Sequence, residues 1–200
     1  MNSTLKKTYT PRLLFHDLGC LIRNLPAMLK MRRDPHINRQ FIEKIMTVTT
    51  AVNGCVYCAW FHAGQAVKSG ISPTKVKNLL NLQFHADASD FELPALLYAQ
   101  HVAETDRRPD PDMTRNLYQL YGDQTAEHIQ LIIRMITFGN LYGNTWDAVI
   151  SRFKGRPAEN SSLLFDLLFF ALNAPVALPA MLAVKVKKLS KSLRPHPQIE

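Results

Sequence analysis

Residues 43–62 read EKIMTVTTAVNGCVYCAWFH, and four of them, Glu43, Cys55, Cys58 and His62, decide how the chain is read. Cys58 follows Cys55 by three positions and His62 follows Cys58 by four, spacings that stack side chains on one helix face. At about 100° per residue, the two sulfurs and the imidazole fall within about 60° of one another around that helix. Asn53-Gly54 reads as the helix start, with Asn53 as N-cap and the helix running from Gly54 to about Ser69. Both thiols then lie in the first turn, where unpaired N–H groups and the positive dipole end favour a thiolate. His62 can hold or take a proton. Glu43, on a preceding helix over 37–52, can accept a hydrogen bond from it. The pattern predicts a dithiol redox centre.

The same run, Glu43, eleven residues, Cys55-Val56-Tyr57-Cys58, three residues, His62, resembles the signature of alkylhydroperoxidase D-like proteins of the carboxymuconolactone decarboxylase superfamily. A bare C-x-x-C is a weak signal, but the Glu, both Cys, the His and their spacing together are a specific one. The resemblance covers roughly residues 25 to 155, including Gly70-Ile-Ser-Pro73 and the helix from Asp90. It implies an all-α fold in which a helical hairpin carries the C-x-x-C, and a peroxidase-type thiol-disulfide oxidoreductase with antioxidant activity. In that scheme Cys58 attacks peroxide, Cys55 resolves the product, and Glu43 and His62 relay protons. The redox-active disulfide stands in place of a cofactor. The substrate is a peroxide or disulfide, and a thioredoxin-, lipoyl- or peroxiredoxin-type partner returns the electrons. Family members of this size commonly form homo-oligomers. One position departs from the pattern: relatives with the best-defined peroxidase relay often carry His just before the second Cys, where this chain has Tyr57. A phenol does not titrate near neutral pH. Dithiol exchange is therefore expected to outpace peroxide reduction, relative to such members.

Two other chemistries compete. A carboxymuconolactone decarboxylase-type lyase uses no cysteine pair, so Cys55 and Cys58 weigh against it. A metal site could be assembled from Cys55, Cys58, His62 and Glu43, given that two thiolates, an imidazole and a carboxylate satisfy zinc. Three cysteines in 200 residues are too few for a disulfide scaffold, and a close pair suits a reducing compartment. Residues 1–10 are polar and lead into no signal-like apolar run, so a cytoplasmic location is expected. Cys20, flanked by apolar residues and distant from the pair, is expected to be a small buried residue.

The formal net charge of +8 is unevenly placed. Residues 1–33 hold seven Lys or Arg against one Asp, and residues 185–200 hold five against one Glu. The nearly neutral middle argues against nucleic-acid binding, while the basic ends suit an anionic surface. Three parts follow: a basic amphipathic segment over 1–33, the alkylhydroperoxidase D-like domain over 34–157, and an apolar, then basic, segment over 158–200. Leu14, Leu18, Leu21, Ile22, Leu25, Met28 and Leu29 form a helical stripe broken at Pro26, suited to packing on the domain or to a membrane surface. Residues 163–184 are long enough for a membrane span, but Asp166, Pro175 and Pro179 make interface burial or membrane-surface docking the preferred expectations.

Elsewhere, about seven to nine helices are expected and no strand. Helices are read over 72–84, Ala88 to about Asp106, about 112–121 and about 125–154. Trp60, Phe61, Ala63, Ala66 and Val67, small and aromatic, are expected to build a dry wall around the thiols. Gly139 and Gly143, four apart, allow a close helix approach. Asn140 and Asn144 share a face that is read either as helix packing or as a wall closing over the Cys helix.

Overall fold

A computed structural model describes residues 7–156 and 162–175 of the chain. Among these residues there are eight helices and no strand. They are α1 (Pro11–Arg23), α2 (Leu25–Met31), α3 (Arg39–Asn53), α4 (Val56–Lys68), α5 (Pro73–Leu80), α6 (Leu93–Glu104), α7 (Pro111–Phe153) and α8 (163–175). The chain divides into two compact units, residues 1–148 and 149–200, so the expected N-terminal segment and the central helices share one unit.

Local sequence explains most of the boundaries. Thr10, Asn38 and Ser72 each cap a helix by accepting a backbone N–H into the side chain, from Leu13, Phe41 and Lys75 respectively. Proline occupies the first positions of α1, α2, α5 and α6, where its missing N–H costs nothing. Pro26 therefore opens α2 instead of kinking one long helix. Helix α7 breaks at Gly122 (φ 71°, ψ 166°), between the two helices read from the sequence. Helices α5 and α6 are shorter than expected. Leu82 takes a left-handed φ of 58° just after α5, and residues 88–92 form turns before α6.

Helix α3 is the hub of the first unit, packing on α4, α5 and α6. Its Phe41, Ile45 and Val48 join Leu96 and Ala99 of α6 and Ile129, Ile132 and Ile133 of α7 in one core. Each fully buried side chain of this size contributes about 1.5–3 kcal/mol. Residues before α1 are pinned along α7: the Tyr9 backbone N–H donates to Thr145 Oγ1 at 2.8 Å, and Asn144 Nδ2 donates to the Lys7 carbonyl at 3.1 Å. By contrast, α1 buries no residue, and Phe15, Leu18, Ile22, Leu25 and Leu29 of α1 and α2 are exposed. The stripe therefore packs on the domain only in part, through half-buried Leu14, Leu21 and Met28.

In the second unit, Arg152 Nε donates to Asp166 Oδ2 at 2.6 Å, and Phe153 packs edge-on against Phe170. That pairing neutralises the one acid of the apolar stretch. Among the described residues no helix is long and apolar enough to cross a membrane. The rest of that stretch, from residue 176 on, and the basic run from Lys185 lie outside the described residues.

Candidate functional site

The site is built on the α3–α4 hairpin. Helix α3 ends at Asn53 and Gly54 closes it in the left-handed region (φ 69°), donating its N–H to the Thr50 carbonyl. Asn53-Gly54 is therefore a helix stop, and Cys55 itself is the N-cap of α4. Its Sγ accepts the Cys58 backbone N–H at 3.3 Å. The misassignment has a physical cause: Asn-Gly suits both a cap and a left-handed turn, and the side chain of a Cys one residue later can take the capping role. A two-residue connection makes the helices antiparallel neighbours. Accordingly Gln40 Nε2 donates to the Ser69 carbonyl at 2.7 Å, and Arg39 Nη2 to Gln65 Oε1 at 3.1 Å.

Glu43, near the start of α3, thus faces the second turn of α4. Glu43 Oε2 lies 2.8 Å from His62 Nδ1, and both side chains are largely buried, at 11% and 13% exposure. His62 sits one turn beyond Cys58 on the same face of α4, which places their Cβ atoms roughly 6 Å apart. Cys55 and Cys58 form a disulfide with Cα atoms 5.3 Å apart. Cys55 is buried while Cys58 is partly exposed, so the second sulfur is the accessible one. Cys20 remains free.

Helix α7 closes the site. A Cβ on Gly143 would lie 2.7 Å from Cys55 Sγ and 3.5 Å from Cys58 Sγ, so only glycine lets the helix backbone reach the pair. Cys58 Sγ lies 3.5 Å from the Gly139 carbonyl oxygen, which can receive the thiol proton in the reduced state. Asn140 and Asn144, both fully buried, form a polar layer against α3. Thr50 Oγ1 donates to Asn140 Oδ1 at 3.0 Å, and Asn144 Nδ2 to the Asn53 carbonyl at 2.9 Å. The α7 face does close over the Cys helix, and its asparagines fix the register. The expected aromatic wall is not there: Trp60, Phe61 and Val67 point outward and are exposed, and so is Tyr57. The thiols are covered instead by the α7 backbone at Gly139 and Gly143, and only at Gly143 does the approach require the missing side chain.

Among the described residues no three His, Cys, Asp or Glu side chains are placed to hold a metal ion. Glu43 Oε2 faces His62 Nδ1, and the two sulfurs are joined to each other.

Residues 25–104, from α2 through α6, match the sequence profile of the carboxymuconolactone decarboxylase family. The match covers 80 of the chain's 200 residues. The match spans the whole α3–α4 hairpin with Glu43, Cys55, Cys58 and His62. The all-α architecture is consistent with the carboxymuconolactone decarboxylase and alkylhydroperoxidase D-like fold, and the match supports an activity of one of these two types at family level. Comparisons with curated proteins and with solved structures give no match.

Two features near the site left little trace in the sequence. One is a second histidine–carboxylate pair, Asp34 with His128, 94 residues apart. The other is Cys20, which is partly exposed, against expectation. Arg23 Nη2 approaches its Sγ at 3.3 Å and His16 Nε2 at 3.9 Å. Its exposure follows from α1 burying nothing.

Proposed function

We propose that the chain is a dithiol-disulfide oxidoreductase that reduces a hydroperoxide or a disulfide through Cys58 and Cys55. The observation that carries this reading is the Glu43–His62 bond, made on the same helix face as the more accessible sulfur of a closable pair. In the reduced state the Cys58 thiolate, favoured by the α4 N-terminus, attacks the outer peroxide oxygen and the O–O bond breaks. The imidazolium of His62, oriented by Glu43, gives its proton to the departing alkoxide. Cys58 becomes a sulfenic acid and the substrate leaves as alcohol. The Cys55 thiol then attacks the Cys58 sulfur, water departs, and the disulfide closes. A dithiol partner of thioredoxin, lipoyl or peroxiredoxin type restores the pair by exchange, its own thiols being oxidised. The exposed Val56, Tyr57, Trp60 and Phe61 beside Cys58 offer that partner an apolar landing. The lyase alternative gains nothing from this geometry, which centres on sulfur.

The test is thiol counting on reduced protein before and after one equivalent of a hydroperoxide, with mass mapping of the bridge. Two thiols should disappear, both from the Cys55–Cys58 peptide, and Cys20 should remain. A bridge from Cys20 to either residue overturns the assignment. Retained turnover in a Cys55→Ser/Cys58→Ser protein would move it to the lyase branch.

A further inference from the structure

A cavity of about 530 Å³ lies between α1, the end of α6 with its following turn, and the middle of α7, all within the first unit. It shares no lining residue with the Cys55–Cys58 site. The volume is that of small-molecule sites, which are typically about 300–1,000 Å³. We propose that it binds a small amphipathic anion, an apolar body ending in a carboxylate.

The walls argue for the apolar body. Leu13 and Leu21 of α1, Val102 of α6 and Leu131, Ile133 and Phe138 of α7 line the cavity. Phe138 is held from behind by Tyr9, ring centroids 5.7 Å apart. The charges argue for the head. Asp17 is already satisfied: its Oδ2 accepts from Arg107 Nη1 at 2.8 Å and from Tyr9 Oη at 3.0 Å, and its Oδ1 lies 3.1 Å from His16 Nδ1. Asp106 faces Lys7 Nζ at 3.3 Å. With both acids and Arg107 paired, the remaining cations at the cavity are Arg108, which meets no carboxylate among the described residues, and Arg134, whose partner is Gln130 Oε1 at 3.5 Å. Two guanidiniums without a carboxylate beside an apolar hollow suit a planar anionic head.

The turn that carries these groups is held in an uncommon form. Asp106 and Arg107 both take left-handed φ values, 54° and 68°, which L side chains avoid outside special turns. Arg107 N–H bonds the Val102 carbonyl at 2.8 Å and Lys7 Nζ bonds the Ala103 carbonyl at 2.6 Å, which together fix the turn. Arg108 follows directly and is brought to the cavity edge.

Cys20 lines the same cavity and is the free thiol, so it reports occupancy without reference to turnover. The experiment uses full-length oxidised protein, in which Cys55 and Cys58 are closed. Alkylation of Cys20 by iodoacetamide is followed by mass spectrometry against rising octanoate, with 1-octanol and acetate as partial ligands. Octanoate should slow alkylation saturably, at least about fivefold, and neither acetate nor octanol should match it. Arg108→Gln and Arg134→Gln, both at exposed positions, should each weaken octanoate by about fivefold, roughly 1 kcal/mol by the affinity relation. Calorimetric titration of the same variants should give the same order. Equal protection by octanol, non-saturating protection, or full octanoate affinity in the double arginine variant overturns the proposal.

Discussion

Two largely buried histidine–carboxylate pairs make the same bond in different surroundings. His62 Nδ1 meets Glu43 at 2.8 Å, and His128 Nδ1 meets Asp34 at 2.7 Å. Around Glu43 the remaining hydrogen-bonding capacity stays available, and the imidazole stands one turn from a sulfur. Around Asp34 everything is spent. Thr125 Oγ1 also donates to Oδ2 at 3.1 Å, and the His36 backbone N–H donates to Oδ1 at 3.0 Å. Asp34 is almost wholly buried at 5%, where it ties the loop before α3 to α7. A histidine–carboxylate pair is thus not itself a catalytic sign. What decides is whether a nucleophile shares its helix face and whether proton-holding capacity is left over.

The largest expected effects separate the two pairs directly. His62→Ala should lower turnover by about 10²–10⁴-fold, the usual worth of a positioned acid–base group, at a smaller cost in stability than at Asp34, because the Glu43 side chain keeps more contact with solvent. His128→Ala should do the reverse, costing about 2–4 kcal/mol of stability by stripping a partner from a buried carboxylate, with turnover per folded molecule retained. Denaturant curves and peroxide kinetics on both variants check this. A His128→Ala protein that folds but is inactive would break the distinction.

Helix α7 backs both pairs, and its glycines sharpen the contrast. Gly143→Ala puts a methyl 2.7 Å from Cys55 Sγ, so it should cost about 1–3 kcal/mol and hinder disulfide closure. At Gly139 nothing lies within 4 Å of a new Cβ. Gly139→Ala should therefore be neutral or stabilise by up to about 1 kcal/mol through helix propensity. Reoxidation rates and thermal midpoints of the two variants measure the difference.

Acid titration probes the structural pair. Burial by itself would raise the Asp34 carboxyl, but hydrogen bonds from His128, the His36 backbone N–H and Thr125 outweigh it and hold the group below its ordinary range. A depressed folded value means that the stabilisation is fully present above the unfolded value, about 3.9, and is lost as pH falls through the lower folded one. Melting temperature followed down through that window should drop less steeply in Asp34→Asn than in the parent, from a lower starting point. An unchanged slope would remove Asp34 from the acid response.

The smallest effect is expected at Tyr57. Its exposed ring flanks Cys58, and Tyr57→His should raise peroxide reduction several-fold relative to dithiol exchange if an imidazole there is what the chain lacks. Steady-state rates with a hydroperoxide and with a dithiol, measured on the same protein, give the ratio. No gain with the fold intact would place the limitation elsewhere.

Local spacing carried the hairpin and the meeting of its side chains because the relevant geometry is short-range. The i, i+3 and i, i+4 positions of Cys55, Cys58 and His62 share a face in any helix, and an eleven-residue gap with a tight turn folds Glu43 back onto it. Helix ends marked by Ser72, Gly70 and the prolines were legible for the same reason. Asn53-Gly54 was not, since one dipeptide serves as start or stop depending on which neighbour caps. Everything set by distant packing needed the tertiary structure. Asp34 and His128 meet across 94 residues, Gly143 reveals its purpose only when α7 crosses the disulfide, and Arg108 and Arg134 converge on a cavity from separate elements. Periodicity says that a side chain lies on an apolar face; it does not say which element covers that face. On α1 Phe15, Leu18 and Ile22 are exposed, and on α4 Val56, Trp60, Phe61 and Val67 are, while the main core is built by α3, α6 and α7.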